Sequence, residues 1–188
     1  MEFLLLFVVA TFAGIVGALV GLGGGVILVP VILFLGNTLG LVQNITPQTV
    51  VGLSVIMMIF IGISSTLSYM KSKTVHFKTG FIFFIGSVPG TIFGAWINKG
   101  LDVPSFNLYF VILLIIIAMI LIFRDKLKPV RWFVEHGTQF EYIDAQGKKY
   151  IYGYPIWFAI SLTFVVGCMS GLFGIGGGSI LVPAMLIL

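Results

Sequence analysis

Residues 21–30 read GLGGGVILVP and residues 174–183 read GIGGGSILVP. Each stretch sets three consecutive glycines and a downstream proline inside an apolar run. A glycine costs a helix about 1 kcal/mol relative to alanine, so three in succession break it. A helix that restarts after such a break presents N–H groups with no helical acceptor, and together they carry a partial positive charge that attracts anions. The chemistry on offer is therefore anion binding by backbone. The candidate contacts are Gly23, Gly24, Gly25 and Val26 at the first break and Gly176, Gly177, Gly178 and Ser179 at the second. Ser179 adds a hydroxyl where the first stretch has Val26. Pro30 and Pro183 are expected to reinforce the interruption, because proline lacks the donor that continues a helix.

The elements that must hold these breaks are membrane spans. Of 188 residues, 59% are apolar and 9% are charged, and the mean hydropathy is +1.18. Soluble domains carry about 25% charged residues. Uncharged segments lie at 3–35, 47–70, 79–98, 106–123 and 155–188. The middle three suit one crossing each, since a helix needs roughly 20 residues to span hydrocarbon. The start, MEFLLLFVVATFAG, contains Glu2 and no lysine or arginine. It lacks the basic n-region of a signal peptide and is read as part of the mature chain.

Loop charge sets the orientation. Lys71, Lys73 and Lys78 lie between the second and third segments, and Arg124, Lys126, Lys128, Arg131, Lys148 and Lys149 between the fourth and fifth. Positive loops stay cytoplasmic. The net charge of +4 is accounted for by these topogenic loops, with no nucleic-acid footprint. Lys71, Lys73, His76 and Lys78 could also draw anions to the cytoplasmic mouth. Within the longer loop, FEYIDAQGKKYIY alternates around Asp144-Ala145-Gln146-Gly147, which predicts a two-stranded hairpin. Cys168 stands alone, so there is no disulfide framework, and no cofactor or metal is expected. No span holds paired carboxylates or a Ser/His/Asp set, so an enzyme is not expected.

An offset of 153 residues carries Gly14, Gly21, Gly23–Gly25 and Pro30 onto Gly167, Gly174, Gly176–Gly178 and Pro183. This indicates a duplication. The fold class is an all-α polytopic membrane protein, each repeat being one glycine-broken segment plus three transmembrane helices. Residues 1–123 form the first repeat, 124–154 a cytoplasmic connector and 155–188 the start of a second. A kinked crossing would give four crossings per unit and parallel repeats. A dip to the midplane and back would give three crossings and inverted repeats, with the two breaks meeting where such transporters bind their substrates. The dip is the preferred reading. Gly62, Gly86, Gly90 and Gly94 read as helix-packing glycines. Ser54 is a candidate contact hydroxyl, with bonding to its own helix as the alternative. Asn44, Thr46, Pro47 and Gln48 could line an entrance or simply start a helix.

With both glycine stretches in view, the chain resembles the TauE/SafE sulfite exporter family, also called the toluene-sulfonate uptake permeases. TPQTVVGLSVIM resembles the family's second span, with Gly52-Leu53-Ser54 where Gly-Thr-Ser is usual. Residues 74–97, TVHFKTGFIFFIGSVPGTIFGAWI, resemble the stretch after the basic loop, with Pro89-Gly90 and Gly94-Ala95 in place. The resemblance implies a bacterial or archaeal cell-membrane transporter of sulfite, sulfonates or related small anions, working by alternating access in a lipid bilayer. A passive anion channel and a non-transporting scaffold are the alternatives. The family has a complete second half, and the visible one stops after its first broken segment. Truncation is the favoured explanation, with completion of the site in a homo-oligomer as the alternative.

Overall fold

The computed structural model describes residues 2–21, 23–37, 45–71, 77–123, 138–143 and 149–185. The helices are α1 (Glu2–Val20), α2 (Gly25–Asn37), α3 (Pro47–Lys71), α4 (Phe77–Asn98), α5 (Val103–Phe123), α6 (Ile156–Phe173) and α7 (Gly178–Met185). Among the described residues, α3, α4, α5 and α6 are long and apolar enough to cross a bilayer. Large side chains such as Phe7, Phe60, Phe81, Trp96 and Ile122 face outward, as lipid-facing side chains do and soluble surfaces do not. Strands β1 (Thr138–Ile143) and β2 (Lys149–Tyr154) pair antiparallel, with Thr138 opposite Tyr154 and Ile143 opposite Lys149. The turn residues Asp144-Ala145-Gln146-Gly147 lie outside the described residues, as do Asn44, Lys73 and His76.

The start of α3 is written in Thr46-Pro47-Gln48-Thr49. The backbone N–H of Thr49 donates to Thr46 Oγ1 over 3.3 Å, and that of Thr46 donates to Thr49 Oγ1 over 3.1 Å. This is a reciprocal cap with proline at the first helical position, where its missing N–H is not needed. These residues therefore start a helix, and Gln48 reaches further. Its Nε2 donates to the carbonyls of Asn98 and Leu101, both at 2.9 Å, tying α3 to the α4–α5 turn.

Helices α4 and α6 pack along their length through glycine. A Cβ added at Gly86 would strike Thr163 and Ile160, at Gly90 the carbonyl of Phe164, and at Gly94 the carbonyl of Cys168. In return Gly167 and Gly171 of α6 lie on the backbones of Ser87 and Thr91. Small residues let two backbones approach this closely in lipid. The partners rise in number together, so α4 and α6 run parallel and begin at the same end of the bundle. Gly62, by contrast, has nothing within 4 Å of an added Cβ. It is not a packing glycine here, because α3 turns that face away from its neighbours.

The core gathers at the far end of α6. Phe106 and Phe110 of α5 pack on Phe173 with ring centroids 5.6 and 5.9 Å apart. Leu28, Val29 and Ile32 of α2, Val50 and Val51 of α3 and Ile175 close around them. Gly90→Val should separate α4 from α6 and cost about 2 kcal/mol or more through overpacking. Thermal unfolding of the detergent-solubilised protein would show it, with Gly62→Ala unchanged as the control.

Candidate functional site

The first break is built by backbone conformations that only glycine adopts without strain. Gly23 and Gly24 stand in succession at φ +79° and +73°. That pair lies in the left-handed region, where a Cβ would crowd the following carbonyl. The chain then restarts as α2, with the Gly24 carbonyl accepting from Ile27 N over 3.1 Å and Leu28 N over 2.9 Å. At the second break, among the described residues, Gly174 alone takes a positive φ. Gly174, at φ +69°, ends α6 by donating its N–H to the Ser170 carbonyl. The Gly177 carbonyl then accepts from Ile180 N over 3.3 Å and Leu181 N over 2.8 Å. The helices restart at Gly25 and Gly178.

The prolines do not make the breaks. α2 continues through Pro30, and Pro183 lies within α7. Three glycines already interrupt the ladder upstream, so each proline removes only one donor from a helix that has formed before reaching it.

Both breaks fold back on the helix they leave. A Cβ at Gly24 would lie 3.1 Å from the Ala13 carbonyl, and one at Gly177 would lie 3.5 Å from Val166 Cγ1. The breaks also touch each other. A Cβ at Gly23 would come within 2.9 Å of the Gly176 Cα, one at Gly25 would land on the Gly174 carbonyl, and one at Gly178 would lie 2.6 Å from the Gly21 carbonyl. These contacts are reciprocal. Gly23 meets its own counterpart, while Gly21 and Gly25 meet the counterparts of each other, the pattern of two segments crossing about a twofold axis.

α3 runs past this crossing. Met57 and Met58 lie over Gly24 and Gly25. The fully buried Ser54 hydroxyl sits 3.0 Å from the Gly174 carbonyl and 2.8 Å from its own Val51 carbonyl. Its single proton is committed to these carbonyls, so Ser54 positions the second break. Asn98, 4% exposed, donates Nδ2 to the Leu172 carbonyl at the end of α6. Ser179, 1% exposed, gives its hydroxyl proton to the Gly176 carbonyl over 2.8 Å and its backbone N–H to the same oxygen over 3.2 Å. It caps α7.

A cavity of about 400 Å³ opens beside the second break, lined by α4, α6 and α7 along the edge of the α4–α6 seam. Gly177 and Gly178 form part of its wall, with Ser87, Thr91, Thr163 and Ser170 supplying hydroxyls and Phe83 and Leu181 apolar surface. Gly23, Gly24 and Gly25 are not part of that wall. The four hydroxyl residues escaped the sequence reading, although Ser87 and Thr91 each follow a packing glycine by one position and so share a helix edge with the seam.

Fold and site together define a multi-pass membrane protein built around two broken helices. The chain belongs to the sulfite exporter TauE/SafE family, whose profile matches residues 6–188; its members are membrane transporters. It is 45% identical over 188 residues to the "Probable membrane transporter protein YunE" of Bacillus subtilis (strain 168), covering all of this chain and 68% of that protein. It is 27% identical over 187 residues to "Probable membrane transporter protein YjnA" of the same organism, covering 94% of this chain and 65% of YjnA. It is also 26% identical over 182 residues to "Probable membrane transporter protein MJ0441" of Methanocaldococcus jannaschii, covering 96% of this chain and 60% of that protein. The chain thus spans about two thirds of the length of these relatives. No solved structure matches it.

Proposed function

We propose that the protein moves a small anion, a sulfur oxyanion or organosulfonate, across the cell membrane by alternating access, with the anion held at the broken-helix N-termini. The observation that carries this reading is the meeting of the two breaks inside the bundle. Irregular backbone survives at membrane depth only where protein or a cavity surrounds it, and here both conditions are met beside Gly177 and Gly178. The return of Gly24 onto Ala13 and of Gly177 onto Val166 supports re-entrant segments in inverted repeats. An unbroken helix would hold residues eleven positions apart about 16 Å from each other. Parallel α4 and α6 fit two basic loops on the cytoplasmic side.

Reconstitution into liposomes with labelled sulfite, sulfoacetate, taurine and sulfate tests the proposal. Saturable uptake with counterflow is expected for at least one of them. Non-saturating flux without counterflow would replace the transporter by a passive channel. Gly177→Ala is the informative variant, because its Cβ meets only ordinary van der Waals contact at 3.5 Å and the fold can accept it. Flux should fall by about tenfold, the equivalent of 1.4 kcal/mol. A folded Gly177→Ala protein with unaltered flux would remove the break from the site.

A further inference from the structure

The two breaks share their glycine spacing but not their backbone, since Gly21, Gly23 and Gly24 take positive φ at the first and, among the described residues, only Gly174 does at the second; they also differ in what surrounds them. The cavity beside the second carries hydroxyls on both walls, Ser87 and Thr91 from α4 and Thr163 and Ser170 from α6. Moving the α6 positions back by 153 residues gives Ala10 for Thr163 and Gly17 for Ser170. The first break therefore has no hydroxyl at either position. Its surroundings are filled instead: Gly17 lies against the Gly24 backbone, and Met57 and Met58 cover Gly24 and Gly25.

We infer that the anion site is one-sided: the α4–α6 cavity at the second break binds, through the hydroxyls of Ser87, Thr91 and Ser170 beside the Gly177–Gly178 backbone, and the first break serves as its packing partner. This rests on the transport reading above and narrows it to one wall of the crossing. The hydroxyls of Ser87 and Thr91 now donate to the carbonyls of Phe84 and Ser87 on their own helix, over 3.3 and 2.8 Å. An anion is a stronger acceptor than a carbonyl, and a hydroxyl hydrogen can rotate to it without moving the chain.

The same lining sets the charge of the ligand. Among the described residues, none of those around the cavity is Lys, Arg, His, Asp or Glu. Compensation comes from hydroxyl dipoles and from a helix end equivalent to about half a positive charge. That suits one negative charge. A second would be left uncompensated in a medium where unpaired charge is costly. The site therefore selects singly charged over doubly charged oxyanions with the same tetrahedral head.

Equilibrium binding of labelled methanesulfonate and labelled sulfate to the purified protein in lipid nanodiscs tests this. Methanesulfonate should bind at least tenfold more tightly. Thr91→Val and Ser170→Ala should each weaken it about tenfold, and Thr91→Ser should restore binding, which separates a lost hydroxyl from a disturbed fold. Met57→Leu, at the first break, should leave Kd within twofold. Methanesulfonate bound equally well by Thr91→Val and Ser170→Ala, or sulfate bound as tightly as methanesulfonate, would overturn the one-sided site while leaving transport in place. A wild-type protein that bound neither anion would also overturn the site, while transport itself stands or falls by the liposome flux.

Discussion

Gly25→Ala is expected to leave almost no folded, active protein, although it adds a single methyl group. The new Cβ would land on the Gly174 carbonyl and within 2.8 Å of Met58 Cε. Methionine can swing aside; the carbonyl cannot, because it belongs to the opposing break and is held by Ser54. Overpacking against backbone costs about 3 kcal/mol or more, a large share of the stability of a marginally stable chain. Gly52→Ala is the matched control. It lies in α3 with nothing within 4 Å of an added Cβ, so it should be neutral or more stable by up to about 1 kcal/mol. Melting in detergent and flux in liposomes should both separate the two variants. A Gly25→Ala protein that melted and transported like Gly52→Ala would mean that the crossing is not tightly closed.

That contrast marks where the sequence is informative. Three glycines in an apolar run state a local fact, that helical hydrogen bonding stops, and α1 and α6 end three residues ahead of them, at Val20 and Phe173, each followed by a further glycine at positive φ, Gly21 and Gly174. Span positions were equally legible, since 20-residue apolar segments have few other folds available in lipid. The prolines misled because the rule against proline within a helix is one of cost and not prohibition. Pro30 and Pro183 occupy helices that the glycines had already separated from their predecessors.

Contacts between distant residues were not legible. Ser54 had two readings from sequence, ligand contact or its own helix backbone. The structure adds the Gly174 carbonyl, 120 residues away, which no local pattern encodes. Nor does a duplicated motif reveal that its copies have diverged in surroundings. The Thr163/Ala10 and Ser170/Gly17 differences acquire meaning only once α4 is seen to lie against α6 and Met57 and Met58 against α2.

Asn98 should be the most chemically sensitive position outside the cavity. Its side chain is 4% exposed and its amide donates to the Leu172 carbonyl, one of the last carbonyls of α6 and without a helical donor. Such carbonyls must be satisfied where no water reaches them. Asn98→Ala removes the donor and leaves an unsatisfied acceptor, a loss of about 1–3 kcal/mol. Asn98→Asp keeps the shape and reverses the chemistry, setting a carboxylate oxygen against a carbonyl oxygen. An uncompensated buried charge should make it the more damaging of the two, by about 3 kcal/mol or more. Ser54→Ala removes the neighbouring donor, to Gly174, so the Ser54→Ala/Asn98→Ala pair should be non-additive, both acting on the same helix end. Melting temperatures of the four variants check the order, and methanesulfonate binding checks whether the loosened α6 end also disturbs the cavity. If Asn98→Asp melted no lower than Asn98→Ala, the amide would be filling space and the α6 terminus would be held by packing of Phe173 on Phe106 and Phe110.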